Sequence, residues 1–244
     1  MERSGANEIA MGNNATRWAS LISGLLDHYR IRRPDQQVHS LGGAGGFSGA
    51  EFWRVDSDGE YWCIRKWPRE HPTEERLHFI HAVLQHAWQA GFSRLPLPLQ
   101  DRQGSTFVQQ EGFFWEVTPW LPGDVVSARL ASHQQIAAAM KTLAAFHQAV
   151  ASFPIAPAGS HCSPGMQDRA RLLKQMIDQG LARIRHQLAD CRPELQARGY
   201  RVLEFADRHA LRQLATVKQE IDVPVVLQPC IRDIHSEHVL FDRS

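Results

Sequence analysis

Cysteine is sparse in this 244-residue chain, and the four that occur, Cys63, Cys162, Cys191 and Cys230, lie far apart with no C-x-x-C pair. That spacing excludes a zinc ribbon and a disulfide framework, and it points to a reduced, cytosolic setting. Charge of one sign is missing too. Lys plus Arg number 27 against 26 Asp plus Glu, so no whole-molecule field recruits nucleic acid or an anionic membrane. Basic residues cluster no further than pairs such as Arg32-Arg33 and Arg65-Lys66. Long apolar runs are absent as well. The N-terminus carries Glu2, Arg3 and Glu8, and the longest helical stretch, near 134–150, is interrupted by Lys141 and His147, which argues against a signal peptide and a membrane span. Among the 13 histidines neither H-E-x-x-H nor C2H2 spacing occurs. His78 and His81, three apart on an expected helix, come nearest to a metal pair, and ordinary surface histidines are the expectation there. No internal repeat or low-complexity tract interrupts the chain.

What is present has ordinary globular composition, 43% hydrophobic and 22% charged, long enough for one large domain or two small lobes. Trp18, Leu21, Ile22, Leu25 and Leu26 recur at helical spacing before Pro34. Residues 38–68 then alternate apolar and polar around a glycine cluster and an Asp56 to Gly59 turn, which predicts three antiparallel strands. Thr73 with acids behind it opens a helix over 73–90, closed by Gly91. Two further strands flank Glu111-Gly112, and "PWLPGD" ends them.

After Gly123 helices take over. Three apolar stripes are expected to be core: Ile136, Met140, Leu143, His147 and Val150; Leu173, Ile177, Leu181, Ile184 and Leu188; Leu203, Leu211, Leu214 and Val217. The expected architecture is α+β: a tail and helix to residue 37, a strand-rich lobe over 38–121 and a helical lobe over 122–244.

Four segments could carry chemistry. "GGAGGFSG" (Gly42 to Gly49) lacks both the dinucleotide spacing and a Walker lysine, which leaves a glycine-rich hairpin able to bring backbone N–H groups close to phosphates. "YWCIRKWP" puts two adjacent cations at a strand end, so one of Arg65 and Lys66 must face the flap side whatever the register. Glu74 and Glu75 open the following helix and are candidate partners for that cation. "FFWEVTPWLPG" reads as a buried strand entering a connector, where Thr118, Trp120 and Leu121 could offer backbone groups to an adenine edge. In "CIRDIHSEHVLFD", Asp233 is followed five positions later by His238 and an apolar run.

In this order, with "TLAAFHQ" (Thr142 to Gln148) between connector and aspartate loop, the segments resemble the aminoglycoside phosphotransferase family, the small-molecule branch of the protein-kinase-like fold. Its usual patterns are L-x-x-L-H in a helix and H-G-D-x-x-x-x-N-x-L in the catalytic loop. The resemblance spans roughly residues 38–244. It implies an ATP-dependent phosphotransferase acting on a hydroxyl of a small molecule, with ATP and Mg²⁺ as cofactors. Asp233 would be the catalytic base, and Gly45, Gly46, Phe47 and Ser48 the phosphate flap. Arg65, or Lys66 in the other register, would be the strand cation, with Glu75 its helix carboxylate. The hinge would be Thr118, Trp120 and Leu121, and His238 the metal ligand in place of asparagine. Ile231-Arg232 replaces the family's His-Gly. The family's second metal aspartate belongs to a strand after the loop, and this sequence stops at Ser244, so the expectation is an incomplete or weakly active form. A kinase-like protein that binds a nucleotide or partner without turnover is the alternative.

Overall fold

The structure is a computed structural model that describes residues 18, 20–31, 33–42, 49–155, 161–231 and 233–242. A five-stranded antiparallel sheet forms from β1 (Gln37–Gly42), β2 (Glu51–Ser57), β3 (Glu60–Lys66), β4 (Val108–Gln110) and β5 (Phe113–Pro119), in the order β1-β2-β3-β5-β4. Turn chemistry sets its registers. Ser57 pairs with Glu60 across a two-residue turn in which Asp58 and Gly59 both have positive φ, 53° and 78°. An Asp-Gly pair adopts that turn readily, and its twist matches the strands. Glu111 and Gly112 repeat the device between β4 and β5.

Strand parity divides the sheet into two faces. One face carries Trp53, Val55, Ile64, Lys66, Trp115 and Val117, all at most 4% exposed. A helix over residues 20–28, α1, covers it with Leu21, Ile22, Leu25 and Leu26, and Trp18 and Tyr29 flank that helix. Trp18, Trp53 and Trp115 meet ring to ring at 5.5–6.2 Å. Complete burial of Ile22, Leu25 and Leu26 contributes roughly 1.5–3 kcal/mol each, so the amphipathic stripe explains why this helix sits where it does.

The opposite face meets α2 (Glu74–Gln89), whose N-cap Thr73 accepts a hydrogen bond from the Arg76 N–H at 3.2 Å. A second core joins α2 to α3 (His133–Ala149) through Val83, Ala87, Leu95, Phe146 and Val150. Ser132 and Gln135 build a reciprocal capping box at the start of α3.

The chain divides into two compact units, residues 1–153 with 229–244, and residues 154–228. Contacts thus group α3 and the last segment with the sheet, whereas the sequence suggests a boundary near 121. The second unit holds α4 (Pro164–Gln175), continued through a π-helical turn (Met176–Gly180) into α5 (Leu181–Ala189), and α6 (Pro193–Glu220). Two-residue strands β7 (His161–Cys162) and β8 (Pro224–Val225) pair within it.

Two of the expected core stripes need correction. Ile136 and Met140 are 45% and 50% exposed, because the α2–α3 core takes α3 by its last turns, at Phe146 and Val150. Leu211 is 65% exposed. Eleven residues separate buried Leu203 from buried Leu214, close to three whole turns, whereas the eight to Leu211 place it about 80° off that face.

Candidate functional site

Register decides between the two cations. Lys66 lies opposite Glu51 and Trp115, and Arg65 opposite Phe52 and Glu116. Lys66 therefore belongs to the α1 face. It is 4% exposed, is ion-paired with Glu51, and its ammonium stands over the Trp18 and Phe113 rings at 4.2 and 4.7 Å. Arg65 belongs to the α2 face. Its guanidinium lies over the Phe52 and Trp67 rings at 5.0 and 4.7 Å, and about a third of its side chain stays in solvent.

The carboxylate that meets Arg65 comes from the sheet. Glu116 on β5 is ion-paired with Arg65 Nη1 at 3.1 Å and, through its other oxygen, accepts from His81 Nε2 at 2.8 Å. The other ring nitrogen of His81 lies 2.7 Å from the Thr106 hydroxyl. Because a carboxylate can only accept, His81 carries its proton on Nε2, and in the neutral ring Nδ1 accepts from Thr106. Burial pushes the Glu116 carboxyl up, but the His81 hydrogen bond and the Arg65 charge outweigh burial, so it lies below its ordinary value.

This arrangement replaces the expected helix pairing. Glu75 is exposed in the first turn of α2, and Glu74 approaches His78 at 3.9 Å, also in solvent. The first-turn position points both acids away from the strand, and the residue that α2 turns toward the sheet is His81, at 5% exposure. The expectation of ordinary surface histidines holds for exposed His78 and fails for His81, which is buried. Glu116 is not among the residues the sequence singles out, and His81 is there only as half of a possible metal pair. A lone carboxylate inside "FFWEVT" was the available sign, since a charge that deep in a strand needs a partner.

At the end of β5, the backbone N–H of Trp120 donates to the Tyr61 carbonyl at 2.9 Å. Arg54 lies over the Tyr61 and Trp120 rings at 4.4 and 5.4 Å. Thr118 and Leu121 are half-buried. Gly45, Gly46, Phe47 and Ser48 lie outside the described residues.

The connector then pairs with the end of the chain. β6 (Asp124–Val125) runs antiparallel to β9 (Leu240–Phe241), Asp124 opposite Phe241. Gly123 makes this possible: its φ is +111°, and a Cβ there would stand 2.9 Å from the Phe241 carbonyl oxygen. Between Asp233 and β9 lies a 3₁₀ turn (Ser236–His238), closed by the His238 N–H to the His235 carbonyl at 2.9 Å. The His238 ring donates from Nδ1 to the Asp233 carbonyl at 2.9 Å and stacks on His235 at 3.7 Å. That bond fixes the tautomer and leaves the Nε2 lone pair as the donor a metal would meet. Asp233 itself is exposed. Among the described residues no three His, Cys, Asp or Glu side chains gather as a metal site. A single imidazole is a poor match for Mg²⁺, which prefers oxygen.

An open hollow of about 460 Å³ between Gly91–Arg94 and α3 is lined by Phe92, Arg94, Lys141 and Thr142, and holds none of the candidate site residues. In the Thr142 to Gln148 segment, His147 Nε2 is buried without a hydrogen-bond partner among the described residues. No helix of the described residues is long and apolar enough to cross a membrane.

A family model described as "Phosphotransferase enzyme family" matches residues 42–244. The chain belongs to this phosphotransferase family. No curated protein matches it. Among solved structures, spectinomycin phosphotransferase APH(9)-Ia in complex with ADP and spectinomycin is 17% identical, with a TM-score of 0.57 over 92% of this chain and 65% of that one. An AMP-bound complex of the same enzyme gives 16%, 0.54, 92% and 66%. An aminoglycoside phosphotransferase from Alicyclobacillus acidocaldarius is 20% identical, with a TM-score of 0.49 over 75% of this chain and 49% of that one. The family member described here thus spans half to two thirds of the length of these neighbours, and at such identities the likeness extends to the α+β fold.

Proposed function

We propose that the chain binds ATP at the α2 face of its sheet and serves transfer of the terminal phosphoryl group to a hydroxyl of a small molecule. The single observation that carries this reading is the β6–β9 pairing, which ties the Asp233 to His238 loop to the connector leaving the last sheet strand. Family membership supplies the reaction class, and the ADP and AMP complexes of the structural neighbours support a nucleotide as donor.

In this reading Arg65 meets the phosphates, because, of the two adjacent cations at the end of β3, it is the one on the α2 face and keeps about a third of its side chain in solvent. Gly45 to Ser48 supply backbone N–H groups over them. Trp120 has its N–H engaged by Tyr61, so the adenine edge meets the Trp120 carbonyl and the Leu121 N–H, beside Thr118. Asp233 accepts the acceptor's hydroxyl proton as that oxygen bonds to the terminal phosphorus and the bond from that phosphorus to the departing ADP breaks. His238 braces the loop through the Asp233 carbonyl. Mg²⁺ would supply charge neutralisation to the phosphates. Four free, separate cysteines support a reduced cytoplasmic setting.

Asp233→Asn tests the reading. ATP turnover should fall about 100-fold or more, with ATP affinity within about threefold of the parent chain. Equal turnover in both removes Asp233 as base. A second reading, nucleotide binding without turnover, is favoured by an imidazole at the position where the family presents an oxygen ligand. ATP bound tightly with no turnover in the parent chain, indifferent to Mg²⁺, would establish it.

A further inference from the structure

We infer that Glu116 is the positioning residue for the phosphate-binding cation, so that Arg65 is aligned from within the sheet and α2 takes part through His81. The inference rests on the reading of Arg65 given above. Kinase-like sites are expected to draw this carboxylate from the helix, where a shift of the helix makes or breaks the pair. Here the geometry differs in three respects. Arg65 and Glu116 are cross-strand partners in register, so backbone pairing fixes their separation. Glu116 is 3% exposed and holds Arg65 and His81 on separate oxygens. His81 is anchored at its other nitrogen by Thr106, which leaves the carboxylate little freedom to rotate. The Phe52 and Trp67 rings, 5.0 and 4.7 Å from the guanidinium, restrict it further. A cation set this way is ready before the nucleotide arrives and needs no inward helix movement.

Removal of Glu116 has two opposing consequences. It deletes a negative charge beside the phosphates, which would strengthen their attraction to Arg65, and it frees the guanidinium to turn. Positioning predominates if buried, oriented donors matter more than net charge. The experiment is calorimetric titration of the full chain with ATP and with adenosine, the readout being the ratio of the two affinities. Arg65→Ala should lower that ratio about tenfold or more, the loss of a charge-assisted contact. Glu116→Gln should lower it by a comparable factor, and His81→Gln by about threefold. A ratio unchanged or raised in Glu116→Gln overturns the inference, even if the variant melts earlier, because a merely structural role would cost stability alone. A fall in Glu75→Gln with none in Glu116→Gln overturns it too and returns the role to the helix. If Glu116→Gln does not fold, His81→Gln and Glu116→Asp decide, an unchanged ratio in both being the refuting result. A ratio equal in the parent chain and Arg65→Ala sinks the underlying reading of Arg65, a failure distinct from the others.

Discussion

Replacing each of the two adjacent strand cations by methionine should produce opposite rankings in stability and exposure. Lys66 is almost wholly buried and Arg65 is about a third exposed, so burial of the mutated residue alone would make Lys66→Met the worse change. The abandoned carboxylates reverse that order. Glu51, the partner of Lys66, has 40% of its side chain in solvent and can rehydrate, and methionine still fills the space beside Trp18 and Phe113. The expected cost is about 1–3 kcal/mol, mainly the lost ion pair and cation–π contacts. Glu116 has 5% of its side chain exposed, and Arg65→Met leaves it charged in the interior with His81 alone. Such a break costs roughly 3–5 kcal/mol. Urea unfolding followed by fluorescence of the Trp18, Trp53 and Trp115 cluster measures both. Arg65→Met should have the lower midpoint and lose its preference for ATP over adenosine. Lys66→Met should keep that preference. Lys66→Met proving the more destabilising, or being the variant that loses the nucleotide preference, would refute the assignment of faces.

Further outcomes follow from the same geometry. Gly123→Ala should cost about 1–3 kcal/mol and loosen the Asp233 loop, because its Cβ meets the Phe241 carbonyl; unchanged stability and unchanged proteolysis near residue 240 would count against the β6–β9 pairing. Trp115→Ala should cost about 3–5 kcal/mol, since the ring is fully buried against Trp18 and Trp53 and its N–H donates to the Gln110 carbonyl at 3.2 Å; a shift under about 1 kcal/mol would refute that core. Glu116 has a depressed carboxyl pKa, so its contribution is fully present above its ordinary value of 4.5 and is lost as pH falls through the lower folded value. Glu116→Gln should therefore flatten the acid limb of the stability–pH profile below about pH 4.5, and a limb of unchanged slope would count against the depressed carboxyl.

Local chemistry made part of this fold legible from sequence. The Asp58-Gly59 hairpin and the Thr73 cap are written in residues adjacent to the structures they form. The face of a strand is not, because period-two alternation says that Arg65 and Lys66 point oppositely without saying where each points. That needs the β3–β5 register, set by residues about fifty positions apart. Glu116 was hidden for the same reason: its partners come from β3 and from α2. Helical periodicity overstated the core at Ile136, Met140 and Leu211, since a stripe marks a face able to be buried and only packing decides how much of it is. Strands of two residues, such as β6 and β9, fall below any pattern length, yet they carry the tie between connector and aspartate loop.

The most direct test of the account is hydrogen–deuterium exchange of the full chain with and without ATP. The expected result is added protection in residues 42–49, in β3 around Arg65 and in residues 118–125, with α4 to α6 unchanged. Protection absent from those segments, or confined to residues 154–228, would contradict a nucleotide site on the α2 face of the sheet.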